Sequence, residues 1–141
     1  MWRAGLLAVL LLGCGAARAQ QSCPWLTQGT AAALMGGSVT MSTQAANGEG
    51  SCEFAREDGS LRLKIVVGHQ SMKECMAGES IAGIGEDSVY CEETAASEHR
   101  ARIRGRVRSS YFLFTMTARD PKASLRSPLA QVGEEVAGNL F

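Results

Sequence analysis

Residues 100–118 read Arg-Ala-Arg-Ile-Arg-Gly-Arg-Val-Arg-Ser-Ser-Tyr-Phe-Leu-Phe-Thr-Met-Thr-Ala, and the rest of the chain has to fit around them. From Arg100 to Arg108 every even position is arginine, while Ala101, Ile103, Gly105 and Val107 fill the odd ones. Strand side chains point to opposite faces in turn, so this is a strand with one wet and one dry side. A helix would spread the same arginines around its circumference. From Phe112 the apolar parity becomes even, through Phe114, Met116 and Ala118. A two-residue hairpin loop at Ser109-Ser110 accounts for the switch. It sets Val107 opposite Phe112, Gly105 opposite Phe114 and Ile103 opposite Met116, all on one face. A four-residue loop from Arg108 to Tyr111 keeps the same pairing.

The first segment is excluded from the fold. Met1-Trp2-Arg3 is a short basic start, Ala4 to Leu12 is an apolar run too short to span a bilayer, and Ala17-Arg18-Ala19 is a small-x-small cleavage site. A signal peptide over residues 1–19 leaves 20–141 as a single disulfide-stabilised domain with no transmembrane helix. The competing reading takes Leu11-Leu12-Gly13-Cys14 as a lipobox with Cys14 lipidated, although leucine before the glycine is not the usual small residue. Without Arg3 and Arg18, twelve bases face fourteen acids. That balance argues against a nucleic-acid binder, whose footprint is strongly basic. The charge is unevenly placed: residues 49–98 hold eleven acids and four bases, residues 99–126 eight bases and one acid. Pairing between neighbouring strands is the plain explanation.

Four cysteines remain in the exported part, Cys23, Cys52, Cys75 and Cys91. An even number in a small exported domain reads as two disulfides. Three connectivities are open. Cys23–Cys52 and Cys75–Cys91 are preferred because each joins a helix or its lead-in to a neighbouring strand. Each loop closure contributes roughly 3–4 kcal/mol in the chain-entropy treatment. No Cys-x-x-Cys pair or Cys/His spacing points to a metal.

Along the chain, Cys23-Pro24-Trp25-Leu26 leads into a helix that Thr27 caps and Gly36-Gly37 stops. Ser38 to Gln44 alternates as a strand before an Asn47-Gly48 turn signal. Ser51–Glu57 and Leu61–Val67 form a hairpin about Asp58-Gly59, with Phe54 opposite Leu63, Cys52 opposite Ile65 and Glu53 opposite Lys64. Ser71-Met72-Lys73-Glu74 is a capping-box pattern and predicts a short helix through Ala77. A glycine-rich bend over residues 81–87 precedes a strand over Ser88–Glu92, whose pairing with the arginine strand would set Glu92 against Arg100 and Tyr90 against Arg102. Ser127-Pro128 opens a closing helix in which Leu125, Leu129, Val132, Val136 and Leu140 share a face. The predicted fold is α+β: one antiparallel sheet of about six strands, the C-terminal helix packed on one face and the short N-terminal helix at an edge.

Cys23-Pro24-Trp25-Leu26 before a helix ending Leu34-Met35-Gly36-Gly37, and Gly50-Ser51-Cys52-Glu53-Phe54 on a strand, form a recognisable set. Ile81-x-x-Ile84-Gly85-Glu86-Asp87 before a strand, and a last helix from Val132 to Phe141, complete it. The set resembles a family of bacterial exported and lipoprotein domains of unknown function, of actinobacterial type with acidobacterial relatives. The resemblance implies an α+β envelope domain and brings no catalytic residues, substrate or cofactor.

The arginine row carries the functional expectation. Arg102, Arg104, Arg106 and Arg108 stand on one face beside Tyr90, Tyr111, Leu113 and Thr115, as a docking face for an anionic envelope partner: protein, polysaccharide or lipid headgroup. The plainer reading is a solvated sheet face partly neutralised by Glu53, Glu92 and Glu93. Gly83-Ile84-Gly85 lacks the third glycine and following helix of a dinucleotide site, so turn geometry explains it. His69 and His99 stand near Glu74 and Glu98, and Ser71 and Ser97 lie close in sequence, but no strand–Ser–helix elbow frames either serine. Met35, Met41, Met72, Met76 and Met116 fall at core-like positions. These observations favour a non-enzymatic exported interaction module with no cofactor, over a secreted hydrolase or enzyme-inhibitor-like protein with a loop-borne site. A lipid-tethered structural lipoprotein is the third option.

Overall fold

A computed structural model describes residues 21–140. The expected leader, its cleavage site and Cys14 therefore lie outside the described residues. The elements are α1 (Gln28–Met35), β1 (Val39–Ala46), β2 (Glu49–Arg56), β3 (Leu61–Gly68), β4 (Glu79–Ser80), β5 (Glu86–Thr94), β6 (His99–Val107), β7 (Ser110–Ala118) and α2 (Arg126–Gly138). One antiparallel sheet takes the order β1-β2-β3-β7-β6-β5-β4. The sheet has seven strands where about six were expected. The addition is β4, two residues too short to carry an alternation.

Each long element follows from its local chemistry. Thr27 Oγ1 accepts the Thr30 N–H at 3.1 Å to cap α1, and Gly36 ends it in the left-handed region at φ +75°. The Asn47-Gly48 turn, with both residues at positive φ, joins β1 to β2 in a tight hairpin. At the Asp58-Gly59 hairpin Phe54 faces Leu63, Glu53 faces Lys64 and Cys52 faces Ile65, as the alternation requires. One sheet face buries Phe54, Leu63, Ile65, Ile103, Phe112, Phe114 and Met116 under α2, which contributes Leu129, Val132 and Val136. Gly133 lets that helix approach Ile84: a β-carbon there would stand 2.9 Å from Ile84 Cδ1. The Asn139 amide donates to the Trp25 carbonyl at 3.0 Å and ties the end of α2 to the lead-in of α1.

Three local readings are corrected. The β6–β7 hairpin turns at Arg108-Ser109, not Ser109-Ser110, so Gly105 faces Phe112, Ile103 faces Phe114 and Ala101 faces Met116. The pairing thus shifts by two residues, which leaves the side chains within both strands on their expected faces and moves Arg108 into the turn. The cause of the shift is the fit of Phe112 over Gly105, where a β-carbon would come within 2.6 Å of Phe112 Cζ. Phe112 also stacks on Phe114, ring centroids 4.6 Å apart. The β5–β6 pairing is offset by one residue: Tyr90 faces Ile103, Cys91 faces Arg102 and Glu93 faces Arg100. Tyr90 and Glu92 therefore lie on the helix-covered side, away from the arginines. Burying the Tyr90 ring on the covered face while Cys91 reaches outward to Cys75 favours this offset. Finally, residues 71–77 form no helix: 71–73 are irregular and 74–77 a turn. Cys75 sits at φ +65°, incompatible with a helical turn, and is disulfide-bonded to Cys91 on the outer face of the sheet. The second disulfide joins Cys23 to Cys52. Two such bonds fit an oxidising, exported environment. Among the described residues no helix is long and apolar enough to cross a membrane.

Candidate functional site

The outer face of the sheet, opposite α2, is built from the even positions of β6 and the odd positions of β7. Hydrogen-bonded pairing aligns these side chains in rows across three strands. Arg62 of β3, Thr117 of β7 and Arg100 of β6 form one row; Lys64, Thr115 and Arg102 form the next; Val66, Leu113 and Arg104 form the third. Two cationic columns thus flank a column of threonine hydroxyls, with an apolar strip at one end. Segment 69–78 lies over that strip, held by the Cys75–Cys91 bond and by Arg104, whose Nη1 donates to the Met72 carbonyl at 2.9 Å. Between segment and sheet is an open depression of about 540 Å³ lined by Arg62, Lys64, Arg100, Arg102, Thr115, Thr117, Met72, Leu113 and, on its rim, Glu53 and Glu74.

The row is not uniformly available. Arg106 is held by Glu86 at 2.9 Å and Asp87 at 3.0 Å, and those carboxylates, Asp87 first, push its pKa further up. Arg100 pairs with Glu98 at 2.7 Å and lies 3.8 Å from Glu93, which is also 3.7 Å from Arg102. Arg62 and Lys64 form no ion pair among the described residues. Of the expected site residues, Arg102, Arg104, Arg106 and Tyr111 share the outer face. Arg108 does not: it has left the strand and occupies the β6–β7 turn at φ +54°. Tyr90 is on the other face, as is Glu92, and Glu98 takes part in the neutralisation expected of Glu92. Arg62 and Lys64 were not anticipated as site residues. Their signal was present in the even parity of residues 62 and 64, but only the β3–β7 pairing reveals what stands beside them.

The histidines are better partnered than their sequence neighbourhoods imply. His69 lines a shallow depression of about 670 Å³ with Glu49, Ser71 and Glu74. Its Nε2 is 3.6 Å from Glu49 Oε1 and its Nδ1 3.5 Å from the Ser109 carbonyl, so both ring nitrogens face groups other than the Ser71 hydroxyl. His99 is buried at the closed end of the β5–β6 hairpin. Its Nδ1 lies 2.7 Å from Thr94 Oγ1 and its Nε2 3.5 Å from Glu92 Oε2, while the Tyr90 hydroxyl donates to Glu92. Burial, reinforced by the Glu92 carboxylate, pushes the Tyr90 pKa well up and keeps the phenol a donor. Arg126 caps the Tyr90 ring at 4.6 Å and binds Glu79 with both Nη atoms at 3.0 Å. This Thr94–His99–Glu92–Tyr90 chain joins the strand pair to α2. The one-residue offset hid it from sequence reasoning.

Among the described residues no group of three His, Cys, Asp or Glu side chains is placed to hold a metal ion. Met35 and Met116 are buried, but Met76 is 71% exposed on segment 69–78, contrary to the core position expected of it. The chain is thus a small disulfide-bonded α+β domain with one sheet face covered by a helix and the other open and basic. No protein-family model matches it, and no curated protein does.

Proposed function

We propose that the protein is a non-enzymatic, exported envelope module that holds an anionic partner on its open sheet face. The observation that carries this reading is the depression whose threonine floor runs between Arg62 and Lys64 on one side and Arg100 and Arg102 on the other. A carboxylate, sulfate or phosphate lying there meets hydroxyl donors below and cations from both flanks, the arrangement that gives charge-assisted hydrogen bonds. The site centres on the β3–β7–β6 rows and not on the Arg106–Arg108 end, where Glu86 and Asp87 already occupy Arg106. Cleavage after Ala19 to give a periplasmic or extracellular protein belongs to the same reading, as does membership of the exported domain family that its motifs resemble. A diacylglyceryl mass on Cys14 would replace free export with a lipid anchor.

The test is binding of the purified protein to labelled dextran sulfate, polyglutamate and phosphatidylglycerol vesicles at low and high salt. Binding to at least one polyanion is expected, and it should weaken steeply as salt rises. The Lys64→Ser/Arg102→Ser variant should lose at least about tenfold in affinity and Arg106→Ser much less. No binding to any anionic probe, or salt-insensitive binding, overturns the proposal.

A further inference from the structure

The two edges of the sheet are guarded very differently. β4 closes one edge with only two residues, and its Glu79 is clamped by Arg126. Short, charged edge strands are how proteins prevent unwanted strand pairing. β1, at the other edge, is eight residues long and reads Val-Thr-Met-Ser-Thr-Gln-Ala-Ala. It contains no charge and no proline, and its pairing with β2 runs without a bulge from Val39 to Ala46.

The pairing pattern states which main-chain groups this edge offers. A two-residue loop makes its flanking pair, Ala46 and Glu49, a hydrogen-bonded one, and alternation then assigns Thr40, Ser42 and Gln44 to β2. The N–H and C=O groups of Val39, Met41, Thr43 and Ala45 point the other way. One of them is already used: the Gln28 side-chain amide donates to the Val39 carbonyl at 2.7 Å, in agreement with this parity. Met41, Thr43 and Ala45 present three donors and three acceptors, and no main-chain bond to them from outside β2 is found among the described residues.

We infer that this edge pairs with the same edge of a second copy of the chain, antiparallel about a two-fold axis at Thr43. Thr43 then faces its own counterpart and Met41 faces Ala45, large against small on both sides of the axis. About six main-chain hydrogen bonds result. Like charges directly opposite one another would oppose self-pairing, and β1 has none. The amides of Gln21 and Gln28 border the depression beside Thr40, Met41 and Thr43 and add no charge either. Gln28 at one end and the Asn47-Gly48 turn at the other confine pairing to residues 41–45 and fix its register. The product is a continuous two-fold sheet with both α2 helices on the same side, leaving both basic faces open. Nothing in this inference depends on what those faces bind.

Sedimentation equilibrium and amide hydrogen exchange on the purified protein test it together. The expected result is a mass of two chains at concentrations of about 100 μM. The amides of Met41, Thr43 and Ala45 should then exchange at least about tenfold more slowly than in dilute, monomeric samples. Those of Ser42 and Gln44 should be protected in both. Thr43→Pro removes an outward N–H without touching a β1–β2 main-chain bond, at the loss of the Thr43 hydroxyl's 3.4 Å bond to the Ser51 carbonyl, and Met41→Lys places a charge at the edge; each should give a monomer with an unchanged circular dichroism spectrum. A chain monomeric throughout that range overturns the inference and leaves the edge to a foreign strand. A dimer in which the 41, 43 and 45 amides exchange as in the monomer also overturns it, because another surface then makes the contact. The exchange measurement needs no variant, so it decides the matter even if a substitution impairs folding.

Discussion

Gly105 shows how one missing side chain sets a register. The alternation of residues 100–107 places it on the covered face, and nothing local says which aromatic lies over it. In the structure Phe112 does, so closely that a β-carbon would come within 2.6 Å of its ring. The buried Ser88 hydroxyl would be nearer still, so Gly105→Ala is expected to destabilise the protein by about 1–3 kcal/mol: both the Ser88 hydroxyl, bonded to the Ile84 carbonyl, and the Phe112 ring, stacked on Phe114, must move. Urea unfolding with an unchanged m-value is the check. Gly133→Ala is the control. Its new methyl meets the buried, branched Ile84 at Cδ1, Cγ2 and Cγ1 (2.9, 3.0 and 3.4 Å), while alanine gains about 1 kcal/mol over glycine in a helix interior, so the two terms oppose and the net loss should be smaller than at Gly105. Equal losses at the two positions would mean that Gly105 has no special part in the hairpin. Composition alone could not have ranked these two glycines, because the difference lies in which neighbour can yield.

At the level of elements, what was legible depended on how each pair of strands is joined. Asp58-Gly59 is a strong turn pair, and the β2–β3 register follows from it without error. Arg108-Ser109 is a weak one, so the alternation preserved the faces of β6 and β7 while the turn moved by one residue and the pairing by two. The β5–β6 loop carries no turn signal, and there the offset of one residue exchanged Tyr90 with Cys91 across the sheet. The capping box at Ser71 failed because the disulfide and the positive φ of Cys75 override a local helical preference. β4 was invisible for a related reason: two residues carry no alternation, and its ties are to partners distant in sequence, Tyr90 and Val89 of β5 and Arg126 of α2. The tie to Arg126 makes a pH prediction. The hydrogen bond from Arg126, then its charge, holds the Glu79 carboxyl below the ordinary glutamate range. A depressed folded-state pKa contributes stability above the unfolded-state value, which is lost as pH falls through the folded one. The wild type should thus lose the β4–α2 tie between about pH 5 and pH 3. Glu79→Gln should show less of that loss, starting from a slightly lower melting temperature at pH 7. Because the pair is exposed, the difference will be small and best read from thermal melts of both proteins across the acid range. Asp58, lowered in the same direction by its Ser60 hydrogen bonds, titrates in both proteins and cancels from the comparison.

Across the whole molecule, the two disulfides divide the labour between the two faces of the sheet. Cys23 and Cys52 are both buried in the core cluster under the helices, whereas Cys75 and Cys91 are half-buried on the open face. Removing the first pair should cost more than the roughly 3 kcal/mol expected from loop closure alone, because it also leaves a gap in the core. The second pair has a different consequence. Cys75→Ala/Cys91→Ala should leave the sheet and α2 intact while releasing segment 69–78 from the face it overlies. Glu74 then leaves the rim of the basic depression, and Arg104 loses the Met72 carbonyl as its partner. The first change makes the depression more cationic, and the second frees a guanidinium that was already charged. If the depression is the anion site, the double variant should bind dextran sulfate about as tightly as the wild type or a few-fold more tightly, with a steeper dependence on salt. It should do so despite a lower melting temperature. Should binding instead fall in step with stability, the segment would be part of the recognition surface, and the rows of Arg62, Lys64, Arg100 and Arg102 would not suffice by themselves.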